Sequence, residues 1–478
     1  MQIHVYPGWP LRYAHVVVEG LRTEHANHGT ICLWAEDDPA QILGRDLDAL
    51  WARLDGWAET AQQGFGPEDR ALDAYMLFED TNDYQVELPF GDLVRQGSTG
   101  YRAELVAKKR GQRTLLMEQT KRGERPAEGN DDSPPLRGVF YLNRRIMAPP
   151  RNLEQVRTSL TRKQRKDLDR GLGARTPVGL AEPSGGYDFI VLAWRRFGLE
   201  HDAVVVGFEN QGESLRASAM AATPNDVASL KRRAGPDADL LASKKVLIAG
   251  AGSVGGHVAV ALASSGIGTL HLYDDDYLKT GNVVRHVSPK AFVGYKKTLG
   301  VALVITDHAP STKVEQHGLL PHGPTDLADQ IAGMDLVVDC TGIFSIAAAL
   351  AETCRRGNVP LITGALFHQG AMVRTQRQAA GDTLIAARSA DSAYVNLPPE
   401  DATSPTTGFL ELGCTALINN APPIAVMSVA ADVSDACIDF LSGRRNRPDE
   451  RITVFRPLQQ PFDRTGTFEA RCPEAGTP

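Results

Sequence analysis

Residues Lys244 to Arg285 read KKVLIAGAGSVGGHVAVALASSGIGTLHLYDDDYLKTGNVVR, and this stretch decides the fold. Val246 to Ala249 is a short apolar run ending in glycine, the pattern of a buried parallel strand that turns straight into a helix. Gly250, Gly252 and Gly255 complete G-x-G-x-x-G, and His257 to Ser264 continues as a helix of small residues. Glycines there let the backbone turn tightly and approach a phosphate, while the free N–H groups of the helix start face the anion. A second strand, Thr269 to Tyr273, delivers Asp274, 24 residues after the first glycine. That is where a Rossmann-like unit keeps the acid that bonds a ribose hydroxyl. The expected fold class is therefore α/β, with a Rossmann-like domain on the C-terminal side and a smaller α+β region before it.

Working outward, more charged residues accumulate around one nucleotide than hydride transfer requires. Asp276 lies two residues beyond Asp274, Asn282 and Arg285 form N-x-x-R, and Gly294 to Lys297 supply G-x-x-K. Asp335 to Thr341, DLVVDCT, is a further apolar strand carrying Asp339 at its carboxyl end. Sites of open α/β sheets lie outside such strand ends. A triphosphate explains the set: cations hold the phosphates and a carboxylate holds Mg²⁺. The reading is ATP rather than NAD.

D-x-D, N-x-x-R, G-x-x-K and D-C-T, in this order and spacing, resemble the ubiquitin-activating E1 superfamily, which includes the bacterial adenylating enzymes of thiamine and molybdopterin synthesis. The resemblance covers Lys231 to Arg377 closely and the rest of the C-terminal part loosely. It implies ribose binding by Asp274, phosphate binding by Asn282, Arg285 and Lys297, and Mg²⁺ on Asp339. Arg232 or Arg233 would match an arginine directed at the triphosphate. Two departures stand out: Gly342 follows D-C-T where the family often has aspartate, and the paired C-x-x-C zinc site of many bacterial members is absent.

His25, Asn27, Gly29, Ile31, Cys32 and Leu33 carry a second resemblance, to the stretch around the active cysteine of ubiquitin-conjugating E2 enzymes. In that family the asparagine stabilises the thioester oxyanion and the cysteine carries the modifier. Only about 30 residues precede Cys32, too few for the helix and full sheet that usually come first, so a degenerate E2-like domain with a buried Cys32 is the alternative. The expected organisation is an E2-like segment over 1–65, an α+β region over 66–225 and an E1-like domain over 226–478.

A 478-residue chain with 42% hydrophobic and 23% charged residues has ample core for two to three domains. Net charge of −7 argues against nucleic acid as the main partner. No signal-like segment or long apolar run is present, so a soluble cytoplasmic protein without membrane contact is expected. Six cysteines without metal spacing read as free thiols, with Cys340 and Cys437 in the core. Leu47 to Gln62 is a helix with Leu47, Leu50, Leu54 and Trp57 facing inward. Between 66 and 230, strands are expected at Tyr84–Leu88, Tyr101–Ala107, Thr114–Glu118, Gly138–Leu142, Tyr187–Trp194 and Ala203–Phe208, with one charged helix over Leu153–Leu172. Strands at Leu361–Leu366 and Ala371–Gln376 precede a loop-like stretch over 379–412 and a helix over Ile424–Leu441.

The resemblance implies that the stretch over 379–412 is the crossover segment that threads a modifier tail. Cys414, at a loop-to-helix boundary where a thiol pKa is lowered, would accept the activated modifier. The function so implied is ATP-dependent adenylation of the C-terminus of a ubiquitin-like protein, followed by a thioester on Cys414 or Cys32. The expected setting is a homodimer in a bacterial conjugation system associated with antiphage defence, with a separate E2-like protein left open. Two rivals remain: a silent scaffold that binds a modifier or nucleotide, and an NAD-dependent dehydrogenase that leaves Asn282, Arg285, Lys297 and Asp339 without a role.

Overall fold

The computed structural model describes residues 1–4, 15–21, 26–27, 29–34, 46–63, 73–98, 100–120, 134–144, 149–195, 201–212, 214–231, 233–399, 409–410, 417–418 and 420–469. The chain divides into two compact units, Met1–Ser229 and Leu230–Pro478.

In the first unit, β1 (Gln2–His4), β2 (His15–Val17), β3 (Ala26–Asn27) and β4 (Thr30–Ile31) form a small antiparallel sheet in the order β1-β2-β4-β3. Helix α1 (Leu47–Gln63) supplies Leu50 and Leu54 to a core with Val16, Ile31, Leu33 and Trp34. Trp57 packs against this core. Leu47, expected to face inward, is instead half exposed at the first position of the helix, before the stripe begins.

The expected α+β region closes on itself. Strands β5 (Thr81–Leu88), β6 (Arg102–Arg110), β7 (Thr114–Gln119), β8 (Leu136–Asn143), β9 (Phe189–Arg195), β10 (His201–Gln211) and β11 (Ser214–Pro224) form a closed barrel in the order β10-β11-β5-β7-β6-β8-β9. Closure pairs the strands around the whole ring and removes free edges. Phe140, Phe189, Leu105 and Met117 fill its interior. A short helix, α2 (Phe90–Gln96), follows β5. The single helix expected over Leu153–Leu172 is two, α3 (Leu153–Ser159) and α4 (Arg162–Gly173). Leu160 is extended, and Thr161 with Gln164 forms a capping box that starts α4. On α4, Asp167 accepts hydrogen bonds from Tyr141 Oη, Tyr187 Oη and Arg102 Nε, tying the helix to the barrel wall.

Helices α5 (Val227–Lys231) and α6 (Ala238–Leu241) lead into the second unit. There, β12 (Lys245–Ala249) is followed by α7 (Ser253–Ser264), β13 (Thr269–Tyr273), α8 (Lys297–His308), β14 (Lys313–His317), α9 (Pro324–Ile331), β15 (Leu336–Asp339), α10 (Phe344–Gly357) and β16 (Leu361–Phe367). Then come β17 (Met372–Gln378), α11 (Ile385–Arg388), the short hairpin β18 (Phe409–Leu410) and β19 (Leu417–Ile418), α12 (Pro423–Leu441), β20 (Glu450–Val454) and β21 (Gly466–Glu469). The sheet order is β14-β13-β12-β15-β16-β17-β20-β21, parallel through β16 and antiparallel beyond it. The order in which the chain adds strands reverses after β14, when β15 returns to pair in parallel with β12, and the crevice between β12 and β15 is the switch point at which α/β sheets bind ligands.

Alternation along the strands explains the two layers of helices. Val246, Ile248, Leu270 and Leu272 face α7, α8 and α12, whereas Leu247, Ala249 and Tyr273 face α9 and α10. Among the described residues no helix is long and apolar enough to cross a membrane. The stretch after β17 is anchored: Arg377 pairs with Asp382 through two bonds of 2.9 and 3.0 Å, and buried Arg388 bonds Glu450 at 3.0 Å.

Candidate nucleotide site

The site begins where β12 ends. Gly250 turns with φ +86°, the left-handed region that glycine adopts without strain. A Cβ on Gly255 would lie 1.8 Å from the Gly250 carbonyl oxygen, so helix α7 packs on its own turn too closely for any other residue. A Cβ on Gly252 would meet nothing within 4 Å, which leaves open space beside the start of α7. No side chain caps that helix, so its first N–H groups face this space.

Ala251, between the glycines, is clamped from two sides. Its N–H donates to Oδ2 of Asp274 at 2.9 Å, and its carbonyl oxygen lies 2.9 Å from Nε2 of His286. Nδ1 of the same ring accepts from the N–H of Ser288 at 3.1 Å, which leaves the proton on Nε2 and makes it the donor to Ala251. Burial pushes the His286 pKa below its ordinary value, so the ring is neutral at pH 7. Sequence reading missed His286; its signal was one histidine directly after the N-x-x-R motif.

Asp274 also accepts from the N–H of Asp276 through Oδ1 at 2.9 Å. Burial raises its pKa, and the nearby Lys297 opposes that rise. Lys297 is the first residue of α8, reached through the Gly294 turn at φ +90°. Its Nζ lies 2.7 Å from Oδ2 of Asp276, with the lysine largely buried and the aspartate 65% exposed. Lys296 points elsewhere, bonding the Asp275 carbonyl oxygen and lying 4.2 Å from the Tyr277 ring centroid.

Asn282 and Arg285 occupy the segment between β13 and α8. The Asn282 Oδ1 accepts from the Lys279 N–H at 3.0 Å within a single 3₁₀ turn. Arg285 is half-buried, and its backbone bonds His257 of α7. Arg233 is exposed, and Arg232 lies outside the described residues.

Asp339 ends β15 directly beside Ala249, whose other neighbour is Tyr273. Asp274 and Asp339 thus flank the glycine turn, one on each side. Asp339 is 4% exposed, and its Oδ1 accepts both the N–H and the Oγ–H of Thr341 at 2.9 and 2.7 Å. Burial raises its pKa. Gly342 holds φ +67°, so glycine rather than the family's frequent aspartate is the unstrained choice there.

The cysteines separate by environment. Cys354 and Cys437 are fully buried, Cys340 is half-buried, and burial pushes all three thiols up. Cys32 is exposed just after β4, yet partial desolvation raises its pKa, opposite to what a nucleophile needs. Gly29 before it holds φ +82° and approaches the Val18 carbonyl too closely for a Cβ. His25, Cys414 and Cys472 lie outside the described residues, as does the side chain of Asn27.

A doubly wound sheet whose glycine turn lies between two strand-end aspartates places the second unit among the Rossmann-like α/β proteins. The chain belongs to the ThiF family, whose model matches residues 228–473, just over half its length. It is 31% identical over 130 residues to the ATP-dependent ubiquitin transferase-like protein Cap2 of Enterobacter hormaechei, covering 27% of this chain and 22% of that protein. It is 33% identical over 128 residues to the molybdopterin-synthase adenylyltransferase of Escherichia coli, covering 27% and 51%. The chain thus spans only about a quarter to a half of the length of these relatives. Among solved structures, E. coli MccB with ATP aligns at a TM-score of 0.39 and 20% identity, over 49% of this chain and 65% of that one.

Proposed function

We propose that the protein uses Mg²⁺-ATP to adenylate the C-terminal carboxylate of a small ubiquitin-like protein, releasing pyrophosphate. One observation carries the reading: Asp274 and Asp339 flank an open, glycine-lined helix start, and Lys297 lies on the Asp274 side. The names of the relatives, an ATP-dependent ubiquitin transferase-like protein and a SAMP-activating E1 of Haloferax volcanii among them, support it.

In this reading Gly250, Gly252 and Gly255 admit the phosphates to the helix start, and Asp274 bonds the ribose. Asn282, Arg285 and Lys297 hold the phosphates. Asp339 fits Mg²⁺: it is a nearly buried carboxylate at a strand end, both Thr341 bonds go to Oδ1, and a cation would offset the burial that raises its pKa. Mg²⁺ there would offset charge on the triphosphate. A carboxylate is a poor acyl donor until it carries a good leaving group such as AMP, and its approach to a triphosphate sets two anions against each other. Arg285 and Lys297 offset that repulsion in a partly desolvated site, where such stabilisation is largest. Lys297 would exchange its contact with Asp276 for one with phosphate.

Thioester transfer follows, with Cys414 as acceptor, since the Cys32 thiol is shifted the wrong way. A homodimer, a separate E2-like protein, a cytoplasmic location and a role in antiphage defence complete the proposal. ATP–pyrophosphate exchange that depends on a ubiquitin-like protein tests it, and tighter calorimetric binding of NAD than of ATP would overturn it.

A further inference from the structure

The edge of the sheet carries a cluster that the nucleotide reading does not use. On β13, Leu270 and Leu272 face the α7–α8 core, so the alternating residues His271 and Tyr273 emerge on the opposite face. The parallel register places Glu315 beside His271 and His317 beside Tyr273. One ligand atom from each of His271, Glu315 and His317 lies within 4.8 Å of the others, and all three residues are half-buried.

We propose that His271, Glu315 and His317 bind a divalent zinc-like metal ion, with water in the fourth position. Nδ1 of His271 is 3.2 Å from Nε2 of His317 and 3.5 Å from Oε2 of Glu315. Metal–ligand bonds of about 2.0–2.1 Å at a tetrahedral centre give ligand–ligand edges of about 3.3–3.4 Å, and the two observed edges bracket that value. Two imidazoles and one carboxylate with an open fourth position form a donor set suited to zinc.

The surroundings hold these ligands in place. Oε1 of Glu315 pairs with Lys313 Nζ at 2.6 Å, leaving Oε2 for the ion as a single-oxygen ligand with a satisfied outer oxygen. His317 stacks on Tyr273 at 4.3 Å and 7°, and the Tyr273 hydroxyl donates to Gln330 of α9. Without metal, the contact between the two rings is an N–H···N hydrogen bond. On metal entry that proton would leave the bridging nitrogen while solvent protonates the other nitrogen of the same ring, so both rings stay neutral, no net proton is released, and both lone pairs turn to the ion with a small pivot of the rings. The ion would clip edge strand β14 to β13 at His271, three residues before Asp274.

The inference stands apart from the adenylation reading. The full-length protein, stripped with a chelator, is titrated calorimetrically with Zn²⁺ and spectroscopically with Co²⁺, alongside His317→Ala and Glu315→Gln. The wild type should take up one tight equivalent, show the intense visible bands of tetrahedral Co²⁺ without a thiolate charge-transfer band, and gain in Tm on adding Zn²⁺. Each variant should lose that equivalent and the Tm gain. Glu315→Gln preserves side-chain shape and decides alone if His317→Ala fails to fold. The proposal falls if the wild type binds no tight equivalent, if Co²⁺ shows thiolate or octahedral spectra, or if Glu315→Gln binds as the wild type does.

Discussion

The Ala251 N–H donates to Asp274, the residue that follows the next strand, so the glycine turn and the candidate ribose acid are held in one unit at 2.9 Å. On its other side the same residue receives a hydrogen bond from His286 at 2.9 Å. The turn is thus fixed before any ligand arrives.

The glycines of this turn should respond differently to alanine. Gly255→Ala forces a Cβ against the Gly250 carbonyl and should cost more than ~2 kcal/mol of stability. Gly252→Ala meets open space and should leave the denaturation midpoint unchanged while weakening ATP binding about tenfold, roughly 1.4 kcal/mol. Urea unfolding and calorimetric titration of both variants measure this contrast; equal loss of stability in the two would refute it.

Asp339 should trade stability for chemistry. Its folded pKa is raised, so at neutral pH its charge opposes folding; that cost vanishes as pH falls toward its ordinary value. Asp339→Asn keeps an acceptor for Thr341 without the charge. It should raise Tm by ~2–4 °C at neutral pH, show no such gain in acid, and abolish pyrophosphate exchange. Wild-type exchange in the variant would remove Asp339 from the site.

Lys297 and Arg285 separate binding from turnover. The Lys297–Asp276 pair is exposed on its aspartate side and contributes only ~0–1 kcal/mol to stability. Lys297→Ala and Arg285→Ala should each bind ATP within a modest factor yet adenylate roughly 10²–10³-fold more slowly, about 3–4 kcal/mol, as when one preorganised donor is lost. Single-turnover rates near wild type in both would leave them outside the chemistry.

Cys414→Ala should retain pyrophosphate exchange and lose the reducible adduct with the modifier. If Cys32→Ala loses the adduct instead, the N-terminal segment is the carrier.

His286 gives a pH dependence of defined sign. Its folded pKa lies below the ordinary 6.5, so below that pH the unfolded chain binds more protons and stability falls; above it the contribution is complete. His257 and His271 shift in the same direction. Urea midpoints should therefore drop from about pH 7.5 to about pH 5.5, and the drop should shrink in His286→Gln, which retains a donor for Ala251. An identical slope in the variant would assign the effect to the other histidines.

The sequence by itself determined the α/β fold of the second unit, because a buried parallel strand, a glycine turn and a strand-end acid are written within 31 consecutive residues, Lys244 to Asp274. Short-range chemistry also marked Asp339 and Lys297, each at the end of an element with a legible period. Tertiary structure alone decided the rest. Barrel closure depends on strands such as β5 and β11, far apart in sequence, pairing edge to edge, and no local pattern records that choice. His286 reaches Ala251 across 35 residues, and His271 meets His317 across 46, because neighbouring elements of the fold bring them together. Periodicity reports which face of an element is buried, whereas the partner across that face is set by the packing of the whole chain.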